Sequence, residues 1–398
     1  MTSVAPAAEA SAEPACPLVA RPIAFEAIPR AAWDGLLDRT ARATPFSRWT
    51  WHRAWWDAYG STAHEQYLAC VPAEQARAPL DRSTIRGIVP LMHRHATEVG
   101  DSGSATVLRH ASPHLAPAGP PEAKVVYFAA TYHADYATVL CDPTDLHDVV
   151  RAAADALAGP PDPGHAGTAW DALDLRRLRA ADPALAALAG AFERLGQREG
   201  WTVHQEQEDV CPVVTVPEGL DWEGYLGTLE KKDRHEIRRK IRRAEAAGPN
   251  VFRLVDPTPE AVSRFIELHS ARWGEDGLFP SNEGGRRSRR FVARLAELEL
   301  AEGQARQLQL GQFEVDGCLI FASMGFDDGT CYFYNAGMDP SARDLSPGVT
   351  GAAAYLRAEL QQGRRRFDFL RGAEAYKYEW GARDEAVQRL LVTRAARP

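Results

Sequence analysis

The chain has 398 residues, 45% hydrophobic and 25% charged, with a net charge of −8. This length and balance fit two folded domains and exclude a chain too polar to bury a core. No apolar run nears the ~20 residues that cross a bilayer, so no membrane-spanning helix is expected.

Residues 1–20 are rich in Ala and Pro, carry Glu9 and Glu13, and lack a basic start and an apolar core. They read as a disordered tail, not a signal peptide. Residues 21–30 read as a first strand. Phe46 to Tyr59 reads as a helix with Trp51, Trp55 and Tyr59 on one face at i,i+4 spacing. That stripe serves either core packing or a pocket between domains. YLACV and STIRGIVPLMH read as strands, and residues 100–125, rich in Gly, Ser, Pro and His, as a long loop. VVYFAATYHADYATVL follows; its Tyr132, His133, Asp135 and Tyr136 serve either buried turn backbone or a substrate. Asp145–Leu157 reads as a helix, 159–167 as a breaker-rich loop, AWDALDLRRL as a strand, and Asp182–Glu199 as a helix with Pro183 in its first turn. WTVHQEQEDVCPVVTVP closes this half as a strand.

Asp221 to Ala247 reads as one long helix, stopped by Gly248-Pro249. Its residues 231–243 hold eight Lys or Arg against two acids, a local +6 that leaves −14 on the rest. Arg234, Arg238 and Arg242 share a face. Two readings stand: a solvated charged face, or a site for an anionic acceptor or a nucleic-acid backbone. A strand at VFRLVDP, a helix Pro259–Trp273, a polar glycine-rich loop and a helix from Arg286 to Ala301 follow. Six single cysteines without C-x-x-C spacing and twelve histidines without HExxH predict reduced thiols in a cytoplasmic protein and no metal site.

LQLGQFEV, CLIFASMGF and TCYFYNAGM are three β-rich runs joined by Asp-Gly turns. Ser346-Pro347-Gly348 then delivers the chain into a helix, Val349–Gln361. The N–H groups of Gly348, Val349 and Thr350 are candidate phosphate donors at that helix start; ordinary capping is the alternative. A strand at 367–370 and a helix start near Tyr376 complete the chemistry-bearing segment.

Meander, glycine loop, helix, strand and helix is the order of the GNAT acyltransferase fold. The segments FSRWTWHRAWWDAYG, GIVPLMHR, YHADYATVL, EKKDRHEIRRKIRRAEAAG, GMDPSARDLSPG and FDFLRGAEAYKYEW resemble the GNAT-like acetyltransferases of the cellulose-biosynthesis (CelD/BcsL) type, relatives of the Fem-type aminoacyl transferases. The resemblance runs from 46 to 380. It implies an α/β (α+β) protein of tandem GNAT-like units, mixed sheets flanked by helices. A degenerate unit falls at 21–215 and an acetyltransferase unit at 216–398.

The resemblance further implies acyl-CoA as co-substrate and a small-molecule amine acceptor, with an envelope or polysaccharide precursor as one acceptor class. The strand before the glycine loop, at Tyr334 and Asn335, is then the candidate arm-pairing and oxyanion edge, with pyrophosphate at Pro347, Gly348, Val349 and Thr350. Tyr376 is the candidate acid for the leaving thiolate, a phenol that stays protonated at neutral pH. Lys377 matches a Lys of Fem-type enzymes, and Asp368 is the candidate base. Asp368 and Arg371 are expected to pair. Arg234, Arg238, Arg242, Trp273 and Arg371 are the candidate substrate contacts. The loop SPGVTG departs from the usual GNAT pattern. Aminoacyl-tRNA as donor, and a non-catalytic binding subunit of polysaccharide production, therefore stay open; DNA is not an expected partner.

Overall fold

A computed structural model describes residues 17–94, 115, 118, 123–159 and 170–394. Most of the expected tail, the long loop at 100–125 and the loop at 159–167 lie outside the described residues.

The first half runs β1 (Leu18–Ile23), α1 (Arg30–Leu37), α2 (Trp49–Tyr59), β2 (His64–Glu65), β3 (Tyr67–Pro72), β4 (Gly87–Val89), β5 (Leu91–Arg94), β6 (Val125–Phe128), β7 (Leu140–Cys141), α3 (Leu146–Ala158), β8 (Ala172–Arg179), α4 (Pro183–Glu199) and β9 (Thr202–Thr215). The second runs α5 (Trp222–Thr228), α6 (Lys231–Ala247), β10 (Asn250–Val255), α7 (Pro259–Trp273), α8 (Glu283–Ala301), β11 (Leu308–Val315), β12 (Cys318–Asp327), β13 (Cys331–Met338), α9 (Pro347–Gln361), β14 (Arg366–Asp368), α10 (Ala375–Tyr378) and β15 (Arg383–Thr393).

Local signals set most limits. Asp182, Thr258 and Asn282 accept from the first-turn N–H groups of α4, α7 and α8, as helix caps do. The Trp51–Trp55–Tyr59 stripe is core, each ring 2% exposed or less. The first strand lies at 18–23, earlier than its expected place, because it pairs with β3 from Leu18↔Pro72 to Ile23↔Tyr67.

Two further sequence expectations fail for physical reasons, and one strand had no expectation. The helix expected over 221–247 is two helices, because Leu229 and Glu230 are extended between them. Leu229 is buried there, and the Arg234 guanidinium donates to the Gly227 carbonyl at the end of α5. α8 starts at Glu283, ahead of Arg286, where Asn282 caps it. Beyond α10 the chain forms β15, a strand whose apolar alternation is broken by Arg389. That arginine is 0% exposed and bonds Asp174 (2.7 Å) and Glu206 (2.8 Å). A buried cation is tolerated because both carboxylates meet it.

The described strands form a four-stranded sheet, β1-β3-β4-β7, and an eleven-stranded one, β10-β11-β12-β13-β14-β9-β15-β8-β6-β5-β2. Both halves contribute to the larger sheet, and β15 lies between β9 and β8. Each half contains a parallel pair joined by a helical crossover: β6 with β8 through α3, and β13 with β14 through α9. These are two GNAT-like units in tandem. In the second half, α7 and α8 join α2 on one face of the sheet, while α5, α6 and α9 pack on the other.

Candidate functional site

β13 and β14 pair only at Cys331↔Phe367 and Tyr332↔Asp368. Past Asp368 the chain follows β9 instead, with the Phe369 N–H on the Pro212 carbonyl and the Gly372 N–H on the Val210 carbonyl. β13 runs on to Met338, so a wedge opens between the two strands. Leu370 takes φ 58°, a strained value for a β-carbon-bearing residue, where the chain turns away.

A bulge shapes the open edge. Met324 pairs with Asn335 and Gly325 with Phe333, which leaves Tyr334 as the extra residue. Tyr334 and Asn335 therefore both reach the α7–α8 face. The Tyr334 hydroxyl donates to the His133 carbonyl (3.0 Å), and Asn335 engages His269 on α7. Burial pushes His269 down to about 4, so its ring is neutral at physiological pH, and its Nδ1 has no hydrogen-bond partner among the described residues. Gly337 is required beside it: a β-carbon there would stand 2.2 Å from the His269 nitrogen of α7.

The first half supplies a wall. Asp135 accepts from the Arg371 Nε (2.6 Å), and the Tyr136 hydroxyl donates to Asp368 Oδ2 (2.7 Å). The expected Asp368–Arg371 pair does not form; Arg371 turns to Asp135, with Asp209 at 3.8 Å. Asp368 is 1% exposed, and burial pushes its carboxyl up to about 6 against the Tyr136 hydrogen bond. His133, at φ 75°, bonds the Tyr59 hydroxyl (2.8 Å) and stacks on Phe291 of α8.

On the other face, Phe333 and Phe369 meet at 5.9 Å, and the Tyr376 ring stands edge-on to Phe369 at 6.3 Å. Tyr376 is 44% exposed, and its hydroxyl is pushed up to about 12 by burial and by Glu374. Lys377 points elsewhere. Its ammonium donates to the carbonyls of Leu370 (3.0 Å), Arg371 (2.8 Å) and Gly372 (2.9 Å), and pairs with Glu374. Its three donors are thereby used in pinning the wedge loop.

The start of α9 differs from expectation. The N–H groups of Val349 and Thr350 both bond the Ser346 carbonyl (2.9 and 3.0 Å), because Ser346 turns left-handed at φ 53°. Pro347 has no N–H, so Gly348 supplies the remaining backbone donor of this first turn. The Arg243 guanidinium on α6 donates to the Ser346 hydroxyl (2.7 Å), bringing the basic helix to the same spot. The Arg234–Arg238–Arg242 face is divided: Arg234 caps α5 and Arg238 pairs with Glu223, while Arg242 is exposed. Trp273 is 44% exposed beside β13.

Among the described residues no group of three His, Cys, Asp or Glu could hold a metal ion, and no helix is long and apolar enough to cross a membrane.

A wedge between parallel strands leading into a crossover helix is an arrangement of the GNAT-like fold. Residues 231–378 match the family model described as acetyltransferase (GNAT) domain. The crystal structure of FemX is similar over 93% of this chain and 96% of its own, at 10% identity and TM-score 0.57, a likeness of fold. A conserved protein of unknown function from Bacteroides thetaiotaomicron (13% identity, 92% and 98% covered, TM-score 0.49) and a tandem GNAT protein from the clavulanic acid pathway (11%, 96% and 99%, 0.48) are also similar. No curated protein matches the sequence.

Sequence reasoning left the part of His133, Asp135 and Tyr136 open between turn and substrate and that of Tyr59 open between core and pocket, and it missed His269 at the wedge. The Asp135–Arg371 pair spans 236 residues, a separation that leaves no local pattern to read.

Proposed function

We propose that this chain is an N-acyltransferase that moves an acyl group, acetyl in the simplest case, from acyl-CoA to the amine of an anionic small molecule. The observation that carries this reading is the open β13 edge, Phe333 to Met338, which leads through a short loop to the Gly348 N–H and Arg243. An extended, amide-bearing arm adds to such an edge by backbone hydrogen bonds, and its phosphates meet a donor and a cation at the helix start.

In the reaction the neutral amine nitrogen attacks the thioester carbonyl. The oxyanion is met by backbone N–H near Tyr334 and Asn335, and the C–S bond then breaks. Tyr376 gives its proton to the departing thiolate and regains one from water, while the attacking nitrogen releases its own proton to water. Lys377 positions the loop. Asp368, buried beneath the wedge and bonded by Tyr136, orients the wall and does not meet the amine. The Asp135–Arg371 pair lies toward the acceptor side. The CelD/BcsL-type resemblance favours an envelope or polysaccharide precursor as acceptor, and the five described cysteines, all free thiols, favour the cytoplasm.

One observation keeps a second donor in play. Lys231, Lys232 and Arg242 are exposed on α6, whose Arg243 meets the start of α9, and such a surface suits the backbone of an aminoacyl-tRNA. Calorimetric titration with acetyl-CoA and with charged tRNA separates the two. Micromolar acetyl-CoA binding, with thiol release when amine acceptors are supplied, is expected. Binding of tRNA alone overturns the acyl-CoA reading, and binding of neither favours a non-catalytic subunit.

A further inference from the structure

The open edge of β13 is not bare. At Ala336 the backbone N–H donates to the Asn335 side-chain carbonyl (2.8 Å), and the backbone C=O accepts from the Trp273 indole N–H (3.3 Å). One side chain presents a C=O and the other an N–H, which are the two halves of a secondary amide. The two together occupy the ladder position that a neighbouring extended chain would fill.

The two bonds differ in strength. The Asn335 bond is short, and Asn335 is held further by His269. The Trp273 bond lies just past the long end of the usual N–H···O range. Trp273 is the last residue of α7 and is followed by Gly274 at φ 53°, a backbone that only glycine adopts without strain. Its ring is 44% exposed, covered on one side by the Arg272 guanidinium at 4.8 Å. A large aromatic kept half in water for one long hydrogen bond is poised to leave.

We propose that Trp273 is a gate on the donor site. In this structure its indole N–H stands in for the N–H of the donor's amide-bearing arm, with Asn335 standing in for the C=O. The arm binds by displacing the indole from the Ala336 carbonyl. This rests on the acyl-CoA reading above. It adds that the site discriminates by exchange: an arm with an amide at this position replaces the lost bond, and a plain alkyl thioester leaves the Ala336 carbonyl unpaired.

The test is Trp273→Phe, which keeps the ring over Arg272 and removes the N–H. Calorimetry with acetyl-CoA, and with pantetheine as the arm without its nucleotide, compares the variant with the wild type; melting temperature checks the fold. Removing one competing hydrogen bond should tighten both ligands by about two- to tenfold. Wild-type binding with equal or weaker binding by the variant overturns the gate and leaves the donor reading standing. A gain with acetyl-CoA but none with pantetheine also overturns it, because the effect then arises at the nucleotide. No binding of either ligand by either protein removes the donor reading and the gate together.

Discussion

The two crossovers share a plan and differ in what lies at the wedge and at the helix start. In the first half, β6 and β8 pair at Val125↔Ala172 and Val126↔Leu173, as briefly as β13 and β14 do. There the chain leaving β6 folds back into the gap: the Ala137 N–H bonds the Arg177 carbonyl of β8. The wedge fills with its own backbone. The approach to α3 carries Asp142 and Asp145, with Arg86 bonded to both oxygens of Asp145. In the second half the wedge stays open and α9 begins with Pro347-Gly348 beside Arg243. The same topology thus carries acids at one helix start and an arginine at the other. The filled wedge has a use of its own, since the loop that fills it sends Asp135 and Tyr136 to Arg371 and Asp368 of the open one.

Cutting that connection should have the largest effect. Arg371→Ala leaves Asp135, 8% exposed, without its cation, and should cost about 3 kcal/mol of stability in urea denaturation. A loss below about 1 kcal/mol would show that the two wedges are not coupled through this pair.

A second difference lies on the helices. The core face of α3 presents Val149, Val150 and Ala153, whereas α9 buries Glu359. Burial, with Asp327 nearby, pushes the Glu359 carboxyl up to about 7, and among the described residues its oxygens have no hydrogen-bond partner of good geometry. A carboxyl raised in the folded state contributes stability that is complete below the unfolded value of about 4.3 and is lost as pH rises through about 7. Glu359→Gln abolishes that titration. Its advantage over the wild type should therefore grow by roughly 2 kcal/mol between pH 5 and pH 8. Parallel pH profiles for the two proteins would be inconsistent with a neutral buried Glu359.

Making the second crossover start like the first sharpens the comparison further. Gly348→Asp puts a carboxylate where α9 begins. The β-carbon meets only the flexible Met338 side chain, at 3.2 Å, so the fold should hold. Acetyl-CoA affinity should fall by about tenfold or more with an unchanged melting temperature. The smallest effects separate two arginines of α6. Arg243→Ala should weaken acetyl-CoA by about threefold, less at high salt. Arg238→Ala, already paired with Glu223, should leave it within about twofold. Equal effects from both would return α6 to a plain solvated face.

The sequence by itself determined the elements whose causes are local. The meander follows from β-rich runs and Asp-Gly turns, with Asp316 and Gly317 at φ 50° and 75°, and the limits of α4 and α7 follow from their caps and following glycines. Gly348, Tyr376 and the basic run of α6 could be picked out as candidates because helix starts, aromatics and charge runs are patterns of near neighbours. Tertiary structure alone decided the rest. It placed β15 between β9 and β8 around a buried Arg389, broke the basic helix at Leu229, turned Val349 and Thr350 inward, and brought Trp273 to a carbonyl 63 residues away. Short-range propensity sets backbone shape over a few residues. Which distant groups meet is set by burying the whole apolar surface at once and pairing every polar group caught inside.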